Sequence, residues 1–532
     1  VAGMAGVAGL RSLRSLRVVR AVGLVAISLS ILATITIGVL GPSAMVPELA
    51  DGHGNPAPEH AYGSGNPGPT LAGGTGSIGL SAVGRQPPYS LDLSPDGHLV
   101  IGIAAAAIVL GAIGLAAGLF AVRLMPSARR LLIAGCLAAG VLAFLPPSGS
   151  SDHLNYAAYG RIAVLGHDPY VTVPADLPAD PVARAVEEWR KTPSVYGPVA
   201  TAVQTLASHV GGDSVRLTVF VLAVVNSAAF IVTALLLHRL TRGDPVRQRR
   251  AALLWTVNPL LVYHLVAGMH LDTLAIAPAV AGMLALAAMR RAPDRPALAV
   301  PLGVALGTGI AVKVTTGLVA LGPAWELRRR PARPALVAGS ALATVLACYW
   351  AAGPHALDQV RNASKTVSLA TPWKLVKQAL QAVFGPGAYH LWIQVGSLLL
   401  LAALAVVLFR RFGRTGDPAA GPMISLVAVV AWLFATPYAL PWYDGLAFAL
   451  LALVSASWLD AFVVTRLAVL SLGYLPARQR NQPPDLGWLV DVVRAQVVPA
   501  ILAVLTIGLL ALAAVTARRR WRAEAPGRTR PA

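Results

Sequence analysis

The sequence predicts an all-α polytopic membrane protein on three observations. Of 532 residues, 56% are hydrophobic and only 12% are charged, about half the charged share of an ordinary globular chain. Mean hydropathy is +0.65, which excludes a water-soluble multidomain enzyme, because too little polar surface remains to cover so large a core. Apolar runs recur along the whole chain, separated by short Arg-rich segments. The net charge of +20 does not point to nucleic acid as a partner, since the basic residues punctuate apolar runs instead of sharing a soluble face. Cys136 and Cys348 both lie inside apolar runs, so neither a disulfide framework nor a cysteine-rich metal site is expected.

Arg11, Arg14, Arg17 and Arg20 lead into an apolar run over 18–40 that is too long for the core of a signal peptide. Residues 1–41 therefore read as a cytoplasmic N-terminus with the first span. Residues 42–97, rich in Gly, Pro and Ser and without periodicity, read as a flexible external loop. The region 98–517 holds further apolar runs at 98–122, 131–147, 213–238, 251–268, 272–289, 297–311, 314–326, 334–351, 389–409, 420–436, 444–459, 461–475 and 496–517. With the first run this makes about 13–14 membrane segments, some shorter than a simple span requires. The pair 297–326 is broken by Lys313, which suits a re-entrant hairpin. Residues 518–532 form a basic cytoplasmic tail.

Charge sets the alternation. About 28 of the 43 Lys and Arg fall at the N-terminus, in 123–130, 239–250, 290–296, 327–333 and 410–419, and in the C-terminal tail, which places those segments inside. Acids run the other way, about 17 of 23 falling outside. An even number of spans puts both termini in the cytoplasm of a multi-pass plasma-membrane protein. The weakest stretch is 459–495, where Arg478 and Arg480 must lie outside.

Ionisable residues at membrane depth or at span ends are functional candidates, and the outer side collects them. Asp152 follows Pro147 by five residues, in Ser150-Ser151-Asp152-His153-Leu154-Asn155-Tyr156. Its carboxylate can take a proton from an arriving hydroxyl or cap the helix expected over 154–165. Asp168, before Pro169, suits a turn. His270 and Asp272, in Gly268-Met269-His270-Leu271-Asp272, suit a metal, a phosphate or sugar hydroxyls, or a polar break between two spans. Lys313 near the outer apex either snorkels or meets an anion. The outer loop 352–388 carries Arg361, Lys365, Lys374 and Lys377. Its Trp373, Val376, Leu380, Val383 and Phe384 recur at helical spacing, as in an interfacial amphipathic helix that grips a lipid phosphate or anchors on anionic lipid. Tyr196 in Ser194-Val195-Tyr196-Gly197-Pro198, and Trp442 and Tyr443 before Asp444, suit the interfacial aromatic belt or stacking on a sugar ring. No nucleotide-binding loop is present on the inner side, which argues against a nucleotide-driven pump.

In order, the chain shows an acid after an early span, a first external loop (148–212) containing Gly166-His167-Asp168-Pro169-Tyr170, then Tyr196-Gly197-Pro198, Met269-His270-Leu271-Asp272, Lys313 in a short hairpin, and Pro441-Trp442-Tyr443. Over 98–517 this set resembles the polyprenol-phosphomannose-dependent alpha-1,6-mannosyltransferases of actinobacteria, of the MptB type, which are C-type (GT-C) integral membrane glycosyltransferases. Two features depart from the pattern: His270-Leu271-Asp272 stands where His-Asn-Asp is expected, and 42–97 has no counterpart.

The resemblance implies a GT-C fold, a polyprenyl-phosphomannose donor of the decaprenyl type and a mannan lipoglycan acceptor outside the membrane. It implies Asp152 as catalytic base. Lys313, His270, Lys374 and Lys377 are expected at the donor phosphate. Asp168, Tyr196, Asp272, Trp442 and Tyr443 are expected at the sugars. No metal ligand is assigned, and a divalent cation stays open. A single displacement would invert a beta-linked donor into an alpha-linked product, without the paired carboxylates of a glycosidase. A transporter or flippase for a lipid-linked sugar and a lipid-linked arabinosyltransferase are the competing readings.

Overall fold

A computed structural model describes residues 2–49, 86–358, 366–413 and 420–524. Among them there is no strand. The principal helices are α1 (Ala2–Leu40), α2 (Gly97–Phe120), α3 (Ala128–Ala143), α4 (Asp152–Val164), α5 (Pro198–Gly211), α6 (Val215–Leu240) and α7 (Asp272–Arg291). They continue with α8 (Ala299–Val312), α9 (Ala332–Ala352), α10 (Pro372–Phe384), α11 (His390–Phe412), α12 (Ala420–Ala435), α13 (Leu459–Gly473) and α14 (Val498–Glu524). Seven helical segments among the described residues are long and apolar enough to cross a membrane, at 15–40, 97–120, 215–240, 272–291, 332–352, 390–412 and 484–519. The other expected runs are shorter or broken.

The breaks have local causes. Run 251–268 divides at Asn258-Pro259: Pro259 lacks a backbone N–H, and the Asn258 side chain caps the N–H groups of Leu260 and Leu261. The flanking turns, Ala252–Thr256 and Val262–Ala267, are widened to π geometry, a feature concentrated at functional sites. Run 314–326 splits into a 3-10 turn, Val314–Ala320, and a short helix, Leu321–Leu327, after Lys313 turns extended at the end of α8. Run 444–459 keeps a helix only over Gly445–Leu451.

Membrane helices gain little from apolar burial against each other and rely on close packing of small residues. At Gly114 of α2 an added Cβ would come within 2.7 Å of the Ile27 backbone of α1, and Ser30 donates to the Ala107 carbonyl at 2.6 Å. Gly307 of α8 approaches Ala341 of α9 as closely. Of the expected external loop 42–97, residues 50–85 lie outside the described residues. Its ends pack down, with Met45 buried and the Pro88 carbonyl accepting from Arg216 at 2.5 Å. Arg361 and Lys365 also lie outside the described residues.

Ion pairs join stretches distant in the chain. Arg250 meets Asp460 (2.7 Å), and Arg290 meets Glu326 (2.5 Å). Arg478 grips Glu187 through two nitrogens (2.5–2.9 Å) and the Ser43 carbonyl (2.6 Å), and His98 meets Asp485 (2.9 Å).

Candidate active site

The site stands at the Arg478 end of the bundle, where several separate stretches of chain meet. Asp152 is the first residue of α4. Its N–H is taken by Ser150 Oγ at 3.1 Å, and Ser151 holds the cap position. The carboxylate is therefore not spent on capping. Its Oδ2 lies 3.5 Å from Tyr156 Oη, one helical turn on, and 3.6 Å from His270 Nε2. Burial, with the charge of Glu188 nearby, pushes this carboxyl's pKa up to about 7.

His270 arrives on a sharp turn. Met269, buried in the core, adopts a left-handed φ of 52°, a costly conformation for such a side chain that persists only where the surroundings dictate it. The His270 ring stacks on Trp442, with centroids 3.5 Å apart and planes 18° from parallel. Its Nδ1 lies 2.6 Å from the His264 carbonyl. A carbonyl can only accept, so Nδ1 carries the proton, and in the neutral ring Nε2 presents its lone pair. Among the described residues that Nε2 has no hydrogen-bond partner.

Asp272 is the first residue of α7, where the positive end of the helix dipole favours an acid. Lys313 Nζ donates to Asp272 Oδ1 at 2.7 Å and sits 3.6 Å above the Tyr443 ring. Among the described residues the buried Asp272 Oδ2 has no hydrogen-bond partner. A small cavity opens at this pair, lined in part by Thr315, Thr316, Trp432 and Tyr443. Tyr196 completes the cluster: its hydroxyl bonds that of Tyr156 at 2.8 Å, ring edge to ring face. The next residue, Gly197, must lack a Cβ because its backbone lies against Ala311 and its N–H donates to Val312 O at 3.0 Å. Tyr196 is thereby fixed beside the end of α8.

Of the expected residues, Asp152, Tyr196, His270, Asp272, Lys313, Trp442 and Tyr443 come together. Asp168 is engaged in a turn, its Oδ1 accepting from the Tyr170 N–H at 2.8 Å. On α10 Lys374 donates to the Ala495 carbonyl at 2.9 Å, and Lys377 is half-buried one turn later. Among the described residues no three His, Cys, Asp or Glu side chains form a metal-ligand set. Sequence reasoning missed Tyr156, Thr315, Thr316 and Trp432 as site residues. Tyr156 alone carried a signal, its i+4 spacing from Asp152; the others are ordinary span residues until the fold assembles them.

An all-helical chain with several membrane-length helices is consistent with the fold of C-type integral membrane glycosyltransferases. Residues 71–329 match the family model described as alpha-(1->6)-mannopyranosyltransferase, N-terminal domain. That match covers just under half of the chain, and over it the chain is similar to the MptA/MptB family. It is 27% identical over 143 residues to alpha-(1->6)-mannopyranosyltransferase A of Corynebacterium glutamicum, covering 27% of this chain and 29% of that one. It is 37% identical over 146 residues to a probable alpha-(1->6)-mannopyranosyltransferase of Mycolicibacterium smegmatis, covering 26% of each. Alpha-(1->6)-mannopyranosyltransferase A of Mycobacterium tuberculosis aligns over 320 residues at 25% identity, covering 56% of this chain and 60% of its own length. The chain thus spans under a third of the first two relatives and about three fifths of the third.

Proposed function

We propose that this chain is an inverting mannosyltransferase. It moves mannose from a polyprenyl-phosphate donor to a hydroxyl of a growing alpha-1,6-mannan, a lipoglycan core, on the outer face of the plasma membrane. The supporting observation is a carboxylate, Asp152, facing His270, in one cluster with a Lys313–Asp272 pair that lines a cavity. The relatives' names supply mannosyl transfer and the linkage. The outer face rests on the distribution of Lys and Arg.

The chemistry follows from the charges. A sugar hydroxyl is too weak an acid to attack unaided, so its proton passes to Asp152 as the new bond to the mannose anomeric carbon forms. The bond from that carbon to the phosphate oxygen breaks on the opposite face, and its electron pair leaves with the phosphate. Attack from that face turns a beta-linked donor into an alpha-linked product. Lipid phosphate is already a good leaving group and needs a cation rather than a proton. Lys313 serves here: Asp272 takes one of its N–H bonds, which leaves the others for phosphate oxygens. Asp272 Oδ2 remains for a hydroxyl of the donor sugar. His270 Nε2, as a lone pair, cannot donate to phosphate; we assign it to the Asp152 side, where it accepts from a second, non-reacting hydroxyl of the acceptor sugar and so orients the attacking one.

The test uses the full chain in a bilayer, with polyprenyl-phosphomannose and an alpha-1,6-oligomannoside. Extension of the acceptor is expected, and Asp152→Asn should lower kcat by about 10²–10⁴-fold with unchanged thermal unfolding. Full turnover in Asp152→Asn removes the base assignment. Donor that crosses the bilayer with its mannose still attached identifies a transporter instead. Transfer of arabinose alone identifies an arabinosyltransferase.

A further inference from the structure

Trp189 stands out on the first external loop. It is 57% exposed, although an indole is among the side chains most strongly driven from water. Its backbone is left-handed, with φ of 60°. For a bulky residue this is a true outlier, and such strain persists only where neighbours over-determine it, most often at ligand clamps.

The neighbours do so here. Asn155 Nδ2 donates to the Glu188 carbonyl at 3.0 Å, and Tyr159 Oη donates to the Thr192 carbonyl at 2.9 Å. The turn 188–192 is thus stapled along α4 at two points one helical turn apart. Arg478 holds Glu187 through two nitrogens, and the Gln479 N–H donates to Glu188 Oε1 at 2.9 Å. Ala175 N–H closes the far side on the Arg190 carbonyl at 2.9 Å. These hydrogen bonds pin the short turn and the residue before it, and the large apolar side chain they leave in solvent is the indole.

The turn is registered against the catalytic helix. Asn155 and Tyr159 follow Asp152 by three and seven residues, which at 1.5 Å rise per residue places the staples roughly 5–10 Å along α4 from the proposed base. Exposed Arg190 and Lys191 and half-buried Glu188 flank the indole. A flat aromatic face within a polar rim suits the C–H face of a pyranose and its ring of hydroxyls. A site for acyl chains would have an apolar rim.

We propose that Trp189 is an acceptor subsite, on which a mannose of the acceptor chain stacks one or two residues behind the reacting hydroxyl. The proposal rests on the mannosyl-transfer reading above for the identity of the sugar. The strained backbone holds the ring in place before binding, so the acceptor does not have to order it.

The test compares two acceptors, an alpha-1,6-mannobiose and a longer alpha-1,6-oligomannoside, in wild type, Trp189→Ala and Trp189→Phe. For the longer acceptor, Trp189→Ala should raise KM about tenfold with kcat unchanged, the size of one lost stacking contact. The mannobiose KM should barely move, and Trp189→Phe should recover most of the loss. Equal effects on both acceptors, or none on either, overturn the subsite. Binding of the longer oligomannoside to the purified full chain, measured by saturation-transfer NMR without donor, is the independent arm. Loss of that signal in Trp189→Ala supports the subsite even if wild type transfers no mannose, an outcome that would sink the transferase reading alone. An undiminished signal overturns it. Weakened partition into sugar-free vesicles with intact oligomannoside binding assigns the indole to lipid and also overturns it.

Discussion

Asp444–Arg466 and Asp272–Lys313 are both carboxylate–cation pairs, joined across 22 and 41 residues of chain. They differ in what surrounds them. Side-chain exposure is 0% for Asp444 and 2% for Arg466, and Arg466 also donates to the Leu433 carbonyl at 2.8 Å. That pair is sealed among helices. Lys313 keeps 20% exposure, faces the Tyr443 ring, and lines a cavity with Asp272. A sealed pair spends its donors internally and ties segments together, whereas a pair beside a cavity keeps donors for a ligand. Neighbourhood, more than the presence of opposite charges at membrane depth, separates structure from chemistry here.

The comparison can be broken most decisively at Lys313. Lys313→Gln should lower transfer by about 10²–10³-fold, the scale of one lost charge-stabilising donor, while the protein stays folded in a detergent thermal-unfolding assay. A variant that unfolds instead, or that turns over normally, erases the distinction from the sealed pair. The opposite result is expected at Arg466. Arg466→Met leaves Asp444 buried and uncompensated and should cost about 3–5 kcal/mol of stability, with normal turnover per folded molecule. Combining it with Asp444→Leu should recover much of the midpoint. Failure of that recovery would give Asp444 a role beyond pairing.

The smallest effect is a pH profile. Asp152 must be ionised to accept a proton, and its pKa is raised to about 7. Turnover should therefore rise with pH through about 7, by up to tenfold per unit below it, and level off above. Asp152→Asn should lack this limb. A wild-type profile flat from pH 5 to 8 would remove Asp152 as the titrating base.

Both what was legible and what was not can be traced to particular residues. The apolar runs named the solvent, and seven helical segments among the described residues are long and apolar enough to cross a membrane. The helix over 154–165 and the amphipathic segment around Trp373 both form, as α4 and α10. Periodicity, caps and charge bias are local, so the chain displays them without its fold. Span length was less legible, because the π turns around Asn258-Pro259 and the extended Lys313 lie inside runs of unbroken hydrophobicity. The sequence by itself determined that this is a helical membrane protein. Only the tertiary structure decided that Asp152 faces a lone-pair nitrogen, that Asp272 holds Lys313 at a cavity, and that Asp444 is sealed by Arg466. The physical reason is that a side chain's solvent follows from local composition, while its partner follows from which distant segments pack together.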